Sequence, residues 1–191
     1  KEARNILRDV KQQHPESATP FRIEARYFER QEKYQEAAEL YQLALEREQT
    51  AELELAYARS LARSGQSTKA IKSLENARQA FPRNPQVLMS LAVLYQENEA
   101  PDKAIPPYEE LLEVTPQNVV ALNNLAWIYH QQGDNRAMEL ARKAFELNSD
   151  NAAIADTYGW ILFEAGQTEE SLPVLEKAHE LQPDSEEIAM H

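Results

Sequence analysis

Cysteine is absent from the 191 residues, which removes disulfides, thiolate zinc sites and cysteine nucleophiles together. Glycine is scarce, with four in all, and Gly159 and Gly166 are too far apart to form a phosphate-cradling loop. Neither a P-loop nor a dinucleotide fingerprint can therefore be drawn. Positive charge is short as well: 20 Lys and Arg stand against 32 Asp and Glu, a net charge of −12. Nucleic-acid binding rests on clustered cations facing phosphates, so no nucleic-acid partner is expected. No run approaches the roughly 18 apolar residues of a membrane span, so direct membrane insertion by this stretch is not expected. A secretory leader is not recognisable either.

Histidines are few and scattered, at His14, His130, His179 and His191. Glu176 and His179 have the i, i+3 spacing of carboxylate-bridged iron bundles, but the second such pair those sites need is missing. Asp156 and Thr157 have no base placed to complete a nucleophile set. The expectation is a protein that is not an enzyme and holds no metal and no cofactor.

What the chain does have is repetition. Residues 122–133 read LNNLAWIYHQQG and residues 155–166 read ADTYGWILFEAG. Superposed, Leu125 meets Tyr158, Ala126 meets Gly159, Trp127 meets Trp160, and Gly133 meets Gly166. A second amphipathic run follows each glycine, ending at Ser149 and at Pro183. Two helical runs in a period of about 34 residues mark a helical repeat array. Apolar residues at three- and four-residue spacing give each helix one buried stripe.

At these residues the chain resembles the tetratricopeptide repeat (TPR) family, over nearly its whole length. The family's pattern places large apolar residues at repeat positions 4 and 7, small residues at 8, 20 and 27, aromatics at 11 and 24, glycine at 15 and proline at 32. On that pattern residues 1–17 are the second helix of a preceding repeat, with Ala3, Leu7 and Val10, then Pro15. Complete repeats follow at 18–51, 51–84, 85–118, 119–151 and 152–185, and residues 186–191 begin another first helix. The fourth is one residue short, between Gly133 and Ala137. The chain is thus read as starting inside a repeat, a piece of something longer. Gly65, Gly133 and Gly166 fall at position 15, where a tight turn takes a positive φ. Pro15, Pro82, Pro116 and Pro183 fall at 32, where proline stops a helix. Pro106, Pro107 and Pro173 fall at 22 and 23, so those second helices are expected to start late or kink.

The resemblance implies an all-α right-handed α–α superhelix whose inner face is lined by first-helix positions 2, 5, 6, 9, 12 and 13. Carried onto this sequence, it gathers Arg22, Arg26, Arg30, Arg59 and Arg63 at one end. Arginines recognise carboxylates and phosphates by paired N–H groups. Alternatively they pair with Glu24, Glu29, Glu52 and Glu54 nearby. Further on it gathers Asn123, Asn124, Trp127, His130, Asp156, Trp160 and Phe163, an aromatic and amide surface of the kind that anchors peptides. There the alternative is that both tryptophans simply pack between first helices. Arg22 and Arg26 are followed by Ala56, so the carboxylate clamp of chaperone-binding relatives is not reproduced.

The runs at 123–127 and 156–160 are also similar to bacterial TPR proteins of the PEP-CTERM and exopolysaccharide-export type. That resemblance implies a periplasmic lipoprotein, with cytoplasm as the alternative compartment. The expected function is a non-catalytic scaffold that grips a segment of a protein or peptide partner. The competing expectation is a structural spacer, forming homo-oligomers through its exposed ends.

Overall fold

The computed structural model describes residues 9, 10 and 12–183. Ala3, Leu7 and the helix start expected at 186–191 lie outside them; residues 9, 10, 12 and 13 are helical. The chain divides into two compact units, one up to Glu99 and one from Ala100. The first holds helices α1 (Thr19–Glu29), α2 (Tyr34–Leu45), α3 (Ala51–Arg63), α4 (Ser67–Ala80) and α5 (Pro85–Glu97). The second holds α6 (Pro101–Val114), α7 (Val119–Gln131), α8 (Arg136–Leu147), α9 (Ala152–Glu164) and α10 (Thr168–Leu181). Within each unit, helices adjacent in sequence pack on one another, and α3 also meets α5 as α7 meets α9.

Helix starts are written into the sequence by side-chain caps. Thr50 Oγ1 accepts from the Leu53 N–H at 3.3 Å, and Asn84 Oδ1 from Gln86 and Val87 at 3.0 and 3.1 Å. Asn118 Oδ1 accepts from Ala121 at 3.0 Å, and Asn151 Oδ1 from Ile154 at 3.2 Å. Each satisfies backbone donors that a first turn leaves open. The small residues then let helices close up: Ala25, Ala37, Ala44, Ala70, Ala77, Ala92, Ala104, Ala126 and Ala144 are all completely buried. Between them lie Tyr41, Leu74, Leu88, Leu91, Tyr108, Leu111, Leu122 and Tyr129, also buried.

Gly65, Gly133 and Gly166 take φ of 81°, 69° and 78° in the turns inside the hairpins. Glu32 and Glu99 hold the corresponding places with φ of 58° and 55°, a conformation that costs a residue with a Cβ about 1–2 kcal/mol.

The expectation that proline delays the second helices is corrected. α6 begins at Pro101 and runs through Pro106 and Pro107; α10 begins at Thr168 and runs through Pro173. The carbonyls that lose their N–H partners belong to Asp102, Lys103 and Glu169, exposed residues of the first turns, where water replaces the lost donor. Burial of Ala104, Pro107, Tyr108 and Leu111 then outweighs the local loss in α6.

Candidate functional site

In the first unit, α1, α3 and α5 together line an open groove of about 590 Å³. Leu55 and Ala56 of α3 and Met89 and Val93 of α5 form its apolar part. Arg22, Arg26 and Arg59 stand on one side of it, Gln86, Ser90 and Glu97 on the other. A second recess of about 420 Å³ is lined by Arg26, Glu29, Arg30, Arg59 and Arg63. Four of the five lining side chains there are cations. The structure therefore brings together all five arginines of the cluster.

Their partners differ. Arg26 Nη2 reaches Glu52 Oε1 at 2.8 Å, tying α1 to α3. Arg59 Nη2 reaches Glu29 Oε1 at 3.1 Å, tying α3 back to α1. Glu29 is itself fixed by two hydroxyls, Tyr41 at 2.8 Å and the fully buried Ser60 at 3.2 Å. Burial, and next the hydrogen bond to Glu29, pushes the Tyr41 phenol well above the usual tyrosine range, so it stays a donor. Arg63 donates to the Tyr34 hydroxyl at 3.2 Å and lies over its ring. Among the described residues, Arg22, Arg30 and Arg63 make no ion pair. Tyr41 and Ser60 escaped the sequence reading. The signal was a glutamate at position 12 followed by a serine at position 10 of the next repeat.

In the second unit, Asn123, Asn124, Trp127 and His130 lie on α7, and Asp156, Trp160 and Phe163 on α9. Asn124 Nδ2 donates to the Tyr108 hydroxyl at 2.8 Å, which gives that amide a role in packing. The Oδ1 of Asn123 is buried without a hydrogen-bond partner. Trp127 lies 5.6 Å from the His130 ring, and Trp160 5.6 Å from the Phe163 ring. Both tryptophans are partly exposed, Phe163 is exposed and Asp156 is buried. His130 Nε2 sits 3.2 Å from Glu164 Oε2, joining α7 to α9. The face thus combines partly exposed aromatic plates with neighbouring amides, the furnishing of a surface that can anchor a peptide.

Comparison with known proteins bears on the whole chain. Two family models described as tetratricopeptide repeat match residues 55–119 and 108–139. A TPR repeat-containing protein of Pseudomonas aeruginosa is 27% identical over 142 residues, 73% of this chain and 24% of that protein. The photosystem I assembly protein Ycf3 of Rippkaea orientalis is 31% identical over 67 residues, 35% of this chain and 39% of Ycf3. The matched stretch thus spans well under half the length of either relative. Among solved structures, YrrB, described as a TPR protein with an unusual peptide-binding site, superposes with a TM-score of 0.79 at 20% identity. It covers 97% of this chain and 96% of its own. MamA superposes with a TM-score of 0.77 at 16% identity, over 88% of this chain and 93% of its own. At these identities the likeness establishes the fold.

Proposed function

We propose, from the premise that this chain belongs to the tetratricopeptide-repeat family, that it is a non-catalytic scaffold holding a segment of a partner protein. The observation that carries the reading is the first unit's groove, whose Leu55, Met89 and Val93 stay partly open to solvent between polar rims. An apolar floor framed by hydrogen-bonding groups is the usual make-up of a recognition site. The peptide-binding site of YrrB, similar in fold, supports the same assignment. The aromatic and amide face of α7 and α9, with Asn123, Asn124, Trp127, His130, Asp156 and Trp160, is a second contact surface.

Crosslink-assisted capture from the source cell tests the groove. A variant carrying Met89→Glu and Val93→Glu, with an unchanged helical spectrum, should lose the captured protein; wild-type capture would refute the site. The resemblance of residues 123–127 and 156–160 to exopolysaccharide-export proteins supports a finer placement, in bacterial polysaccharide assembly within the periplasm. Deleting the gene should then lower secreted polysaccharide, and unchanged secretion rules that placement out.

A second reading, a self-stacking spacer, is favoured by Leu172 and Leu181 of α10, exposed at 58% and 43%. Light scattering decides it: a concentration-dependent oligomer abolished by Leu172→Glu favours stacking, whereas a monomer excludes it.

A further inference from the structure

The recess lined by Arg26, Glu29, Arg30, Arg59 and Arg63 has a chemistry of its own. The same arrangement stands on two helices. Arg26 and Arg30 are four residues apart along α1, Arg30 closing it, and Arg59 and Arg63 hold the same repeat positions on α3. Like charges four residues apart destabilise a helix, so helix stability explains neither pair. The repeat does not require them either. In the later repeats the two positions carry Val93 and Glu97, Trp127 and Gln131, and Trp160 and Glu164, with no cation among them.

Internal partners answer only part of this charge. Glu52 meets Arg26 at 2.8 Å and Glu29 meets Arg59 at 3.1 Å, and the two pairs hold α1 and α3 together. Glu29 also accepts from the Tyr41 and Ser60 hydroxyls, which uses most of its lone pairs. Arg63 gives one N–H to the Tyr34 hydroxyl at 3.2 Å, and Arg30 makes no ion pair among the described residues. The macrodipoles of α1 and α3 offer about half a charge each to the cations at their ends. A surplus of positive charge remains, and with five N–H donors on each guanidinium most stay available to a ligand.

We propose that this recess binds the phosphate groups of a small oligophosphate, a ligand distinct from the partner segment. It shares Arg26 and Arg59 with the neighbouring groove but none of that groove's apolar floor. A carboxylate has two oxygens, which a single guanidinium fork fills. A phosphate group presents three, with a charge of about −1.5 to −2, and can be met from both helices at once. Four forks outnumber the oxygens of one phosphate group, and two joined groups match them better. All five lining side chains are charged, so nothing there receives an apolar body. At about 420 Å³ the recess falls within the range of roughly 300–1,000 Å³ that small-ligand sites occupy.

Calorimetric titration of the purified chain with sodium diphosphate, in a phosphate-free buffer at about 0.15 M salt, tests this. One diphosphate should bind per chain, and about tenfold more weakly to a folded Arg30→Gln, Arg63→Gln variant. Arg142→Gln with Lys143→Gln, which removes the same charge from exposed positions of α8, should bind as the native chain does. No binding, or an equal loss in both variants, would overturn the site, the latter in favour of general attraction. Citrate binding as tightly as diphosphate would overturn the phosphate assignment in favour of carboxylates. A phosphoserine peptide that outbinds diphosphate, and loses that advantage on Met89→Glu, would overturn the small-ligand assignment by placing the phosphate on a groove-bound segment. The diphosphate titration involves no partner protein, so its failure and that of the groove are separately visible.

Discussion

Replacing Gly159 by alanine sets the repeat pattern against the geometry. The same register holds Ala25, Ala58, Ala92 and Ala126 in the other repeats, all buried. On pattern and propensity, Gly159→Ala should therefore help, by about 1 kcal/mol for a helix interior. The structure says otherwise. A Cβ at Gly159 would stand 2.7 Å from Leu175 Cδ2, 2.8 Å from Cγ and 3.2 Å from the Leu175 backbone nitrogen. Leu175 can rotate its side chain, but the nitrogen moves only if α10 does, and α10 is fastened there by the buried Ser171 hydroxyl, which donates to the Gly159 carbonyl at 2.9 Å. Overpacking of this kind costs about 1–3 kcal/mol, enough to cancel the propensity gain. We expect a net loss of up to about 2 kcal/mol, or a midpoint lower by up to roughly 8 °C for a chain of this size. Urea and thermal unfolding followed by circular dichroism read it directly. In a Leu175→Ala background the two side-chain clashes are gone and only the 3.2 Å contact with the backbone nitrogen remains, so Gly159→Ala should become neutral or stabilising. A higher midpoint for Gly159→Ala in the native background, or no change of sign between backgrounds, would refute the reasoning.

Other outcomes follow from the same coordinates. Glu32→Gly and Glu99→Gly relieve a left-handed backbone and should each stabilise by about 1 kcal/mol, seen as a higher urea midpoint; no rise in either would contradict the strain. Burial and then the hydrogen bond to a glutamate raise the phenols of Tyr41, Tyr95 and Tyr129, Tyr95 to about 12. Their contribution is intact below the unfolded value near 10 and is lost as pH rises through the folded values, so stability should fall from about pH 10 upward, and less steeply in Tyr95→Phe. Burial also raises the Glu54 carboxyl, despite a hydrogen bond from Ser73. Its stabilising share is present below the unfolded value and lost as pH rises through the folded one, so Glu54→Gln should gain stability at pH 7 and little at pH 3. Asn124→Ala with Trp127→Ala gives up the bond to Tyr108, at about 1 kcal/mol, and should weaken partner capture while the chain stays folded. Native capture by that folded double variant would dismiss the α7–α9 face.

The fold class was readable because helical hairpins need small residues where helices touch and breakers where they turn. Both recur in this chain at a fixed period, and the all-α TPR class they indicated is the one found. The glycine turns were equally visible. Glu32 and Glu99 in the same conformation were not, since glutamate carries no local signal for a left-handed turn. The late start expected from the prolines of α6 and α10 failed for the converse reason: local cost is fixed by residue type, whereas the packing that overrides it involves distant residues. The arginine cluster could be drawn from the sequence, together with its alternative of internal pairing. The division actually made, with Arg26 and Arg59 bound to Glu52 and Glu29 and the other three in no ion pair among the described residues, depends on Tyr41 and Ser60 orienting Glu29. Asn124 could be placed on the peptide-facing surface from its repeat position, but its bond to Tyr108, sixteen residues earlier, could not.

The claim that a partner segment lies in the first unit's groove is tested most directly by site-specific photocrosslinking in the source cell. A benzophenone amino acid placed at Met89, in the groove, and in a second protein at exposed Gln79 on α4, which does not line it, reports what each surface touches. The account predicts one discrete crosslinked partner from position 89 and none from 79. Equal products from both positions, or a partner only at 79, would contradict it.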